Sequence, residues 1–188
     1  MSVDAVERFY AILAVAAIAL MVIVWGARLT RLIAPSAFPA SSGMERVLHE
    51  RSLGSAWIVA TLATAGSLYF SEVAGFVPCT LCWYQRIAMY PLVVVLGVGA
   101  LRGDRSAPAA TALAAIGAAI SAYHVALEWI PSLDSGACAV DAPCTFVWFR
   151  AFGIFSLPTL ALTAFLLILT LLASRAPARA EDLERSPA

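Results

Sequence analysis

Five stretches of this chain are too long and too apolar for the surface of a soluble protein. Phe9 to Ala27 contains no charged residue. At ~1.5 Å per residue it reaches roughly 28 Å, close to the ~30 Å hydrocarbon core of a bilayer. Leu53 to Phe70, Trp83 to Leu101, Ala107 to Ile130 and Ala151 to Ala173 repeat the pattern. Charged residues make up 13% of the chain against 62% hydrophobic ones, about half the charged share of an ordinary soluble domain. The expected fold is therefore an all-α integral membrane protein.

Spans two to five form a predicted four-helix transmembrane bundle, and the first is one extra N-terminal transmembrane helix. A cleaved signal peptide carries its positive charge before the apolar run. Here Asp4 and Glu7 accompany Arg8 in front, and Arg28 and Arg31 follow, so a retained helix is expected. Residues 1–43 read as this span plus a Pro- and Ser-rich linker (Pro35 to Gly43). Residues 44–173 read as the main unit, and 174–188 as a flexible, soluble cytoplasmic tail. Pro91 lies inside span three and Pro158 in the first half of span five. The net charge is zero and no basic tract is present, which argues against a nucleic-acid partner.

All the basic residues are arginine, and arginine near span ends marks the cytoplasmic side. Arg28, Arg31, Arg46 and Arg51 lie between spans one and two, Arg102 and Arg105 between three and four, and Arg175, Arg179 and Arg185 after five. Those regions alternate along the chain and are expected to be cytoplasmic, including the C-terminus. The loops before span three and after span four then share the opposite face. Each carries a cysteine pair: Cys79 with Cys82, and Cys138 with Cys144.

Cys79-Thr80-Leu81-Cys82 has the spacing of a dithiol redox motif. Cys82 is expected to start span three, where unpaired backbone N–H groups and the helix dipole favour a thiolate. Arg86 falls one turn deeper on the same face. It either stabilises that thiolate and an anionic acceptor beside it, or anchors the helix at the headgroups. Cys138 and Cys144 alone would suit a structural staple. Two pairs on one face instead suit thiol–disulfide exchange, which passes oxidising equivalents from one pair to the other. Electrons from a soluble dithiol would enter at the loop pair and leave from Cys79/Cys82 to a lipid-soluble acceptor. His124 shares a helical face with Glu128. It serves either proton or quinone handling or a hydrogen bond between helices.

The string Pro78-Cys79-Thr80-Leu81-Cys82-Trp83-Tyr84-Gln85-Arg86 resembles the signature of the DsbB family of membrane disulfide-bond-formation proteins, in particular its shorter, BdbC-like branch. Ser121-Ala122-Tyr123-His124, the Cys138–Cys144 loop, and Phe152-Gly153-Ile154 with Leu157-Pro158 agree. The resemblance covers roughly Arg46 to Ala173. It implies a four-helix, quinone-dependent protein-dithiol oxidase in the bacterial inner membrane. Such an enzyme reoxidises a DsbA-like, thioredoxin-fold thiol oxidase and passes the electrons to ubiquinone or menaquinone. Carried over, the disulfides are Cys79–Cys82 and Cys138–Cys144. The partner attacks Cys138, with Cys144 as its intramolecular partner, and Cys79 exchanges with the loop pair. Cys82 makes a thiolate–quinone charge-transfer contact, with Arg86 beside the quinone and His124 assisting. No metal is expected. The loop is shorter than in enterobacterial-type members, and the extra N-terminal span lies outside the family plan. The alternatives are a four-cysteine metal site, which would need unpaired thiolates, and loop disulfides of purely structural use.

Overall fold

In a computed structural model of the chain, residues 2–33, 42–102, 107–134, 136, 138–139 and 141–174 are described. Five helices account for most of them: α1 (Val3–Ile33), α2 (Ser42–Leu68), α3 (Thr80–Arg102), α4 (Ala107–Trp129) and α5 (Leu157–Ala173). The first four have the length and composition to cross a membrane. α5, with 17 residues, covers about 26 Å. The expected all-α membrane bundle with an added N-terminal helix is what forms. Most of the expected linker, the polar turn after Arg102 and the expected tail beyond Ser174 lie outside the described residues.

The core sits where α2, α3, α4 and α5 meet. Leu53, Ala56 and Ala60 of α2 face Met89, Leu92 and Leu96 of α3, and Ala110, Ala114 and Ala118 of α4 face Phe165, Ile168 and Leu172 of α5. Lipid tails are as apolar as leucine, so burial alone does not hold membrane helices together. Close backbone approach over small residues does. The alanine row of α4 supplies that approach, and at Gly117 it becomes extreme: a Cβ there would overlap the Phe165 ring. Large apolar side chains such as Ile58, Ile87, Val94 and Ile116 point outward, as a lipid-facing surface requires.

α1 lies against α5, with Ala11 and Ala14 on Phe155 and Leu160. Near its start, the Tyr10 hydroxyl donates to Leu62 O of α2 (3.1 Å). Near its end, Trp25 Nε1 donates to Thr170 Oγ1 (3.1 Å) and Arg28 Nη2 to Ala173 O (3.2 Å). α1 and α5 therefore run in the same direction.

Besides the start of α3, two boundaries differ from expectation in ways that shape the cysteine end. α2 does not stop at Phe70 but widens into a π-turn over Tyr69–Val73 before Gly75, at φ 73°, breaks it. The fifth helix begins at Leu157 rather than Ala151. Phe152 and Gly153 have positive φ (51° and 78°) and close a tight turn in which Ala151 pairs with Phe155. Pro158 is thus in the first helical turn, where its missing N–H costs nothing, instead of inside the span. Ser156 caps the helix, its N–H donating to Thr159 Oγ1 (2.6 Å).

Candidate functional site

The helix α3 starts one turn earlier than the apolar pattern suggests, and this changes which cysteine the helix end serves. Cys79 O accepts the N–H of Trp83 (3.1 Å), so Cys79 is the N-cap of α3. Its Sγ accepts the N–H of Cys82 (3.3 Å), as a capping side chain does. The thiolate position expected at Cys82 is therefore provided at Cys79. The two sulfurs lie 3.0 Å apart in a thiol–thiol hydrogen bond. That bond, with help from His124, outweighs burial and lowers the Cys79 thiol to about 4, far below the ordinary ~8.5.

A pH prediction follows from that direction. A lowered thiol keeps its nucleophilic thiolate as pH falls, and loses it only on crossing the lowered value. Anaerobic alkylation of Cys79 by iodoacetamide, followed by mass spectrometry, is expected to keep its rate from about pH 8 down to about pH 5. An ordinary thiol would lose roughly tenfold per pH unit over that range, and such a decline at Cys79 would contradict the arrangement.

The second pair forms a disulfide, with Cys138 and Cys144 bonded and their Cα atoms 5.8 Å apart. The Cys79–Cys82 bond expected from the sequence is open in this structure, where both are thiols. Cys144 is fully buried and packs in one cluster with Cys79, Leu81 and Leu127. The two pairs, 56 residues or more apart in the chain, thus meet at one end of the bundle.

His124 joins them. Its Nε2 lies 3.1 Å from Cys144 O and 3.7 Å from Cys79 Sγ, and its Nδ1 lies 3.3 Å from the Gln85 side-chain nitrogen. A carbonyl only accepts and the Gln85 amide nitrogen only donates, so this pattern puts the ring proton on Nε2. One turn further along α4, the Glu128 carboxylate takes a short hydrogen bond from Ser156 Oγ. Arg150 Nη2 donates to Glu128 O at the C-terminal end of α4 (3.3 Å), and its guanidinium lies over the Trp129 ring (4.1 Å). These contacts hold the cysteine loop down on α4.

Two cavities flank the motif. The larger, about 380 Å³, is an apolar slot among α1, α2, α3 and α5, with Cys82, Gln85, Arg86, Ser67 and Ser71 among its polar lining. The smaller, about 220 Å³, is lined by Cys79, Cys82, His124, Glu128 and Asp141. Cys82 lines both; Arg86 lines the first and His124 the second. The two residues expected to hold a quinone therefore face different spaces. Arg86 Nε donates to Ser67 Oγ and Nη2 to Ser67 O, both at 3.0 Å, and the guanidinium lies 5.1 Å over the Trp83 ring. It ties α3 to α2 at the mouth of the slot.

Several participants carry no local sequence signal. Phe76 stacks on Trp148 (4.5 Å between centroids) and on Phe70 (5.7 Å), making an aromatic wall at the cysteine end of the slot. In the sequence Trp148 needs only an aromatic belt at the membrane interface to explain it, and the fold shows its partners. Gln85 lies inside the motif itself, four residues before Met89 on the buried face of α3, so its helical position was the available clue. Among the described residues, the Sγ atoms of Cys79 and Cys82 and a ring nitrogen of His124 also lie within 4.8 Å of one another. That is a three-donor set; the other two cysteines are bonded to each other and offer no thiolate.

Residues 50–174 match the family of disulfide bond formation protein DsbB. The chain is 44% identical over 119 residues to disulfide bond formation protein C of Bacillus subtilis, an alignment covering 62% of this chain and 86% of that one. It is 46% identical over 121 residues to probable disulfide formation protein C 1 of Bacillus cereus (63% and 87%). It is 44% identical over 118 residues to a probable disulfide formation protein of Oceanobacillus iheyensis (61% and 81%). No solved structure matches. With cysteine pairs in contact at one end of a membrane bundle and the family matched over most of its length, the chain belongs to the DsbB family, as a multi-pass membrane oxidoreductase that generates disulfides.

Proposed function

We propose that this protein is a thiol:quinone oxidoreductase that reoxidises a DsbA-like, thioredoxin-fold partner. The observation that carries the reading is the division of the Cys79/Cys82 pair. Cys79 packs on the loop disulfide, and Cys82 lines the apolar slot.

The partner's dithiol attacks Cys138, leaving with a disulfide while Cys138 and Cys144 become thiols. That dithiol then reduces a Cys79–Cys82 disulfide and closes its own bond again. A quinone bound beside Cys82 would supply the oxidant, and the two thiols would give up two electrons and two protons to it as the Cys79–Cys82 bond forms. His124, between Cys79 Sγ and Cys144 O, orients the sulfur. The slot suits a quinone: its length is apolar, its polar groups gather at the Cys82 end, and Ser67 occupies only two of the three Arg86 nitrogens.

Division into an N-terminal span and linker (1–43), a redox unit (44–173) and a tail (174–188) fits this reading. So does a bacterial inner-membrane location with both cysteine loops outside and the C-terminus in the cytoplasm. The support is the alternation of arginines, together with the contact between the two cysteine loops.

The test is anaerobic turnover of the purified chain with a reduced DsbA-like protein and ubiquinone or menaquinone, read from the quinone spectrum. Dithiol-dependent reduction is expected, and its absence with both quinones would refute the proposal. Arg86→Ala is expected to raise the apparent KM for quinone severalfold more than it lowers kcat, because it removes a binding group at the slot's mouth. An unchanged KM would leave Arg86 as a tie between α2 and α3. The three-donor cluster gives the metal alternative its specific form: one zinc per chain, found by metal analysis together with no quinone reduction, would favour it.

A further inference from the structure

The helix that lies outside the family match has a position in the site. α1 precedes residue 50, where the match begins, yet it contributes Tyr10, Leu13, Ala14, Ala17 and Leu20 to the slot that Cys82 and Arg86 also line. With Ala16 these positions lie along one side of the helix, a broad stripe at helical spacing. The stripe runs ten residues, roughly 15 Å. It parallels the lining of α5 from Leu157 to Leu167. We propose that α1 is a wall of the acceptor site, closing the slot against lipid and setting which isoprenoid tails it takes.

Three observations carry this. First, α1 is tied down on both sides of the stripe, by Tyr10 on Leu62 O toward the cysteine end and by Trp25 and Arg28 on Thr170 and Ala173 toward the other. Second, the Tyr10 ring lies so close over Gly66 that no side chain would fit between them. Gly66 lines the same slot, so this is an adapted contact within its wall. Third, beyond Tyr10 the stripe is built from alanine and leucine, and leaves open space where larger residues would fill it. A slot with its polar groups at the sulfur end and an apolar remainder some 15 Å long suits a quinone head and the first part of its tail. The proposal rests on the quinone reading above.

The test uses the full chain and a quinone carrying a photoreactive group partway along a four-isoprene tail. After illumination, labelled peptides are mapped by mass spectrometry. Labelling within residues 10–20, competed by excess unmodified quinone, is expected. Labelling confined to α2, α3 or α5 would overturn the role of α1 and leave the quinone site standing. No competed labelling anywhere in the slot would overturn both. Ala17→Trp gives a second measurement, by equilibrium retention of radiolabelled quinone. Affinity for the four-isoprene quinone is expected to fall about tenfold, while the tailless head group binds within about twofold of wild type. Unchanged binding of the tailed quinone by Ala17→Trp, in protein that elutes and melts as wild type, would overturn the proposal. If it fell as expected in Ala63→Trp, on the α2 wall, the slot would remain the site.

Discussion

Cys82→Ser is expected to abolish dithiol-driven quinone reduction while the loop disulfide still accepts electrons from a reduced partner, once per chain. Among the described residues, Cys82 is the one cysteine that lines the apolar slot. Without it Cys79 has no thiol beside the slot with which to form a disulfide, and the two-electron step to the acceptor has no donor there. Following quinone absorbance and the partner's thiol content in the same anaerobic sample separates the two halves. The expected result is stoichiometric partner oxidation with no quinone signal. Continued turnover would show that electrons leave by another route and would refute the assignment of Cys82.

Gly117→Ala is the second large effect. Alanine in a helix is ordinarily favoured over glycine by about 1 kcal/mol, so an open site would be stabilised. Here the added Cβ meets the Phe165 ring, and Phe165 is completely buried. Overfilling a packed core costs roughly 1–3 kcal/mol, so the net change is expected to destabilise, and Gly117→Leu more severely. Phe165 also lines the slot, so pushing its ring away from α4 also reshapes that cavity. A lowered melting temperature in detergent, partly restored by adding Phe165→Leu, is the expected pattern. A raised melting temperature would mean that the ring has room to turn aside.

The helices were legible because lipid leaves a chain little choice: each long apolar run became a helix over most of its length, with Arg86 and Glu128 the charged residues inside the runs. Limits set by local geometry were harder to read. The start of α5 depended on Phe152 and Gly153 taking positive φ, and an apolar run hides such a turn. The placement of Cys79 at the cap of α3 depended on a boundary three residues from the expected one. That shift transferred the stabilising N–H from one sulfur to the other. Helical spacing placed Arg86 under Cys82, and could not show that Ser67, on another helix, would take its guanidinium. The same spacing put His124 and Glu128 on one face, without saying that the face meets Cys144 rather than the slot. The cysteine motif thus announced the chemistry, and the neighbours that tune it came from contacts between helices.

The sulfur of Cys82 borders both an apolar slot and a chamber lined by Cys79, His124, Glu128 and Asp141, as do Val77, Trp148 and Leu157. In the proposed reaction each half would use surroundings suited to it: exchange among thiols where titratable and polar groups are at hand, delivery to the acceptor in an apolar slot. Reagents should divide the same way. Hydrophilic alkylating agents would silence the chain from the Cys79 side, whereas greasy aromatic compounds lodged in the slot would stall it with its thiols reduced and still able to trade with the loop. A drug of the second kind would leave the protein loaded with electrons rather than chemically damaged, and its effect would reverse on washing out.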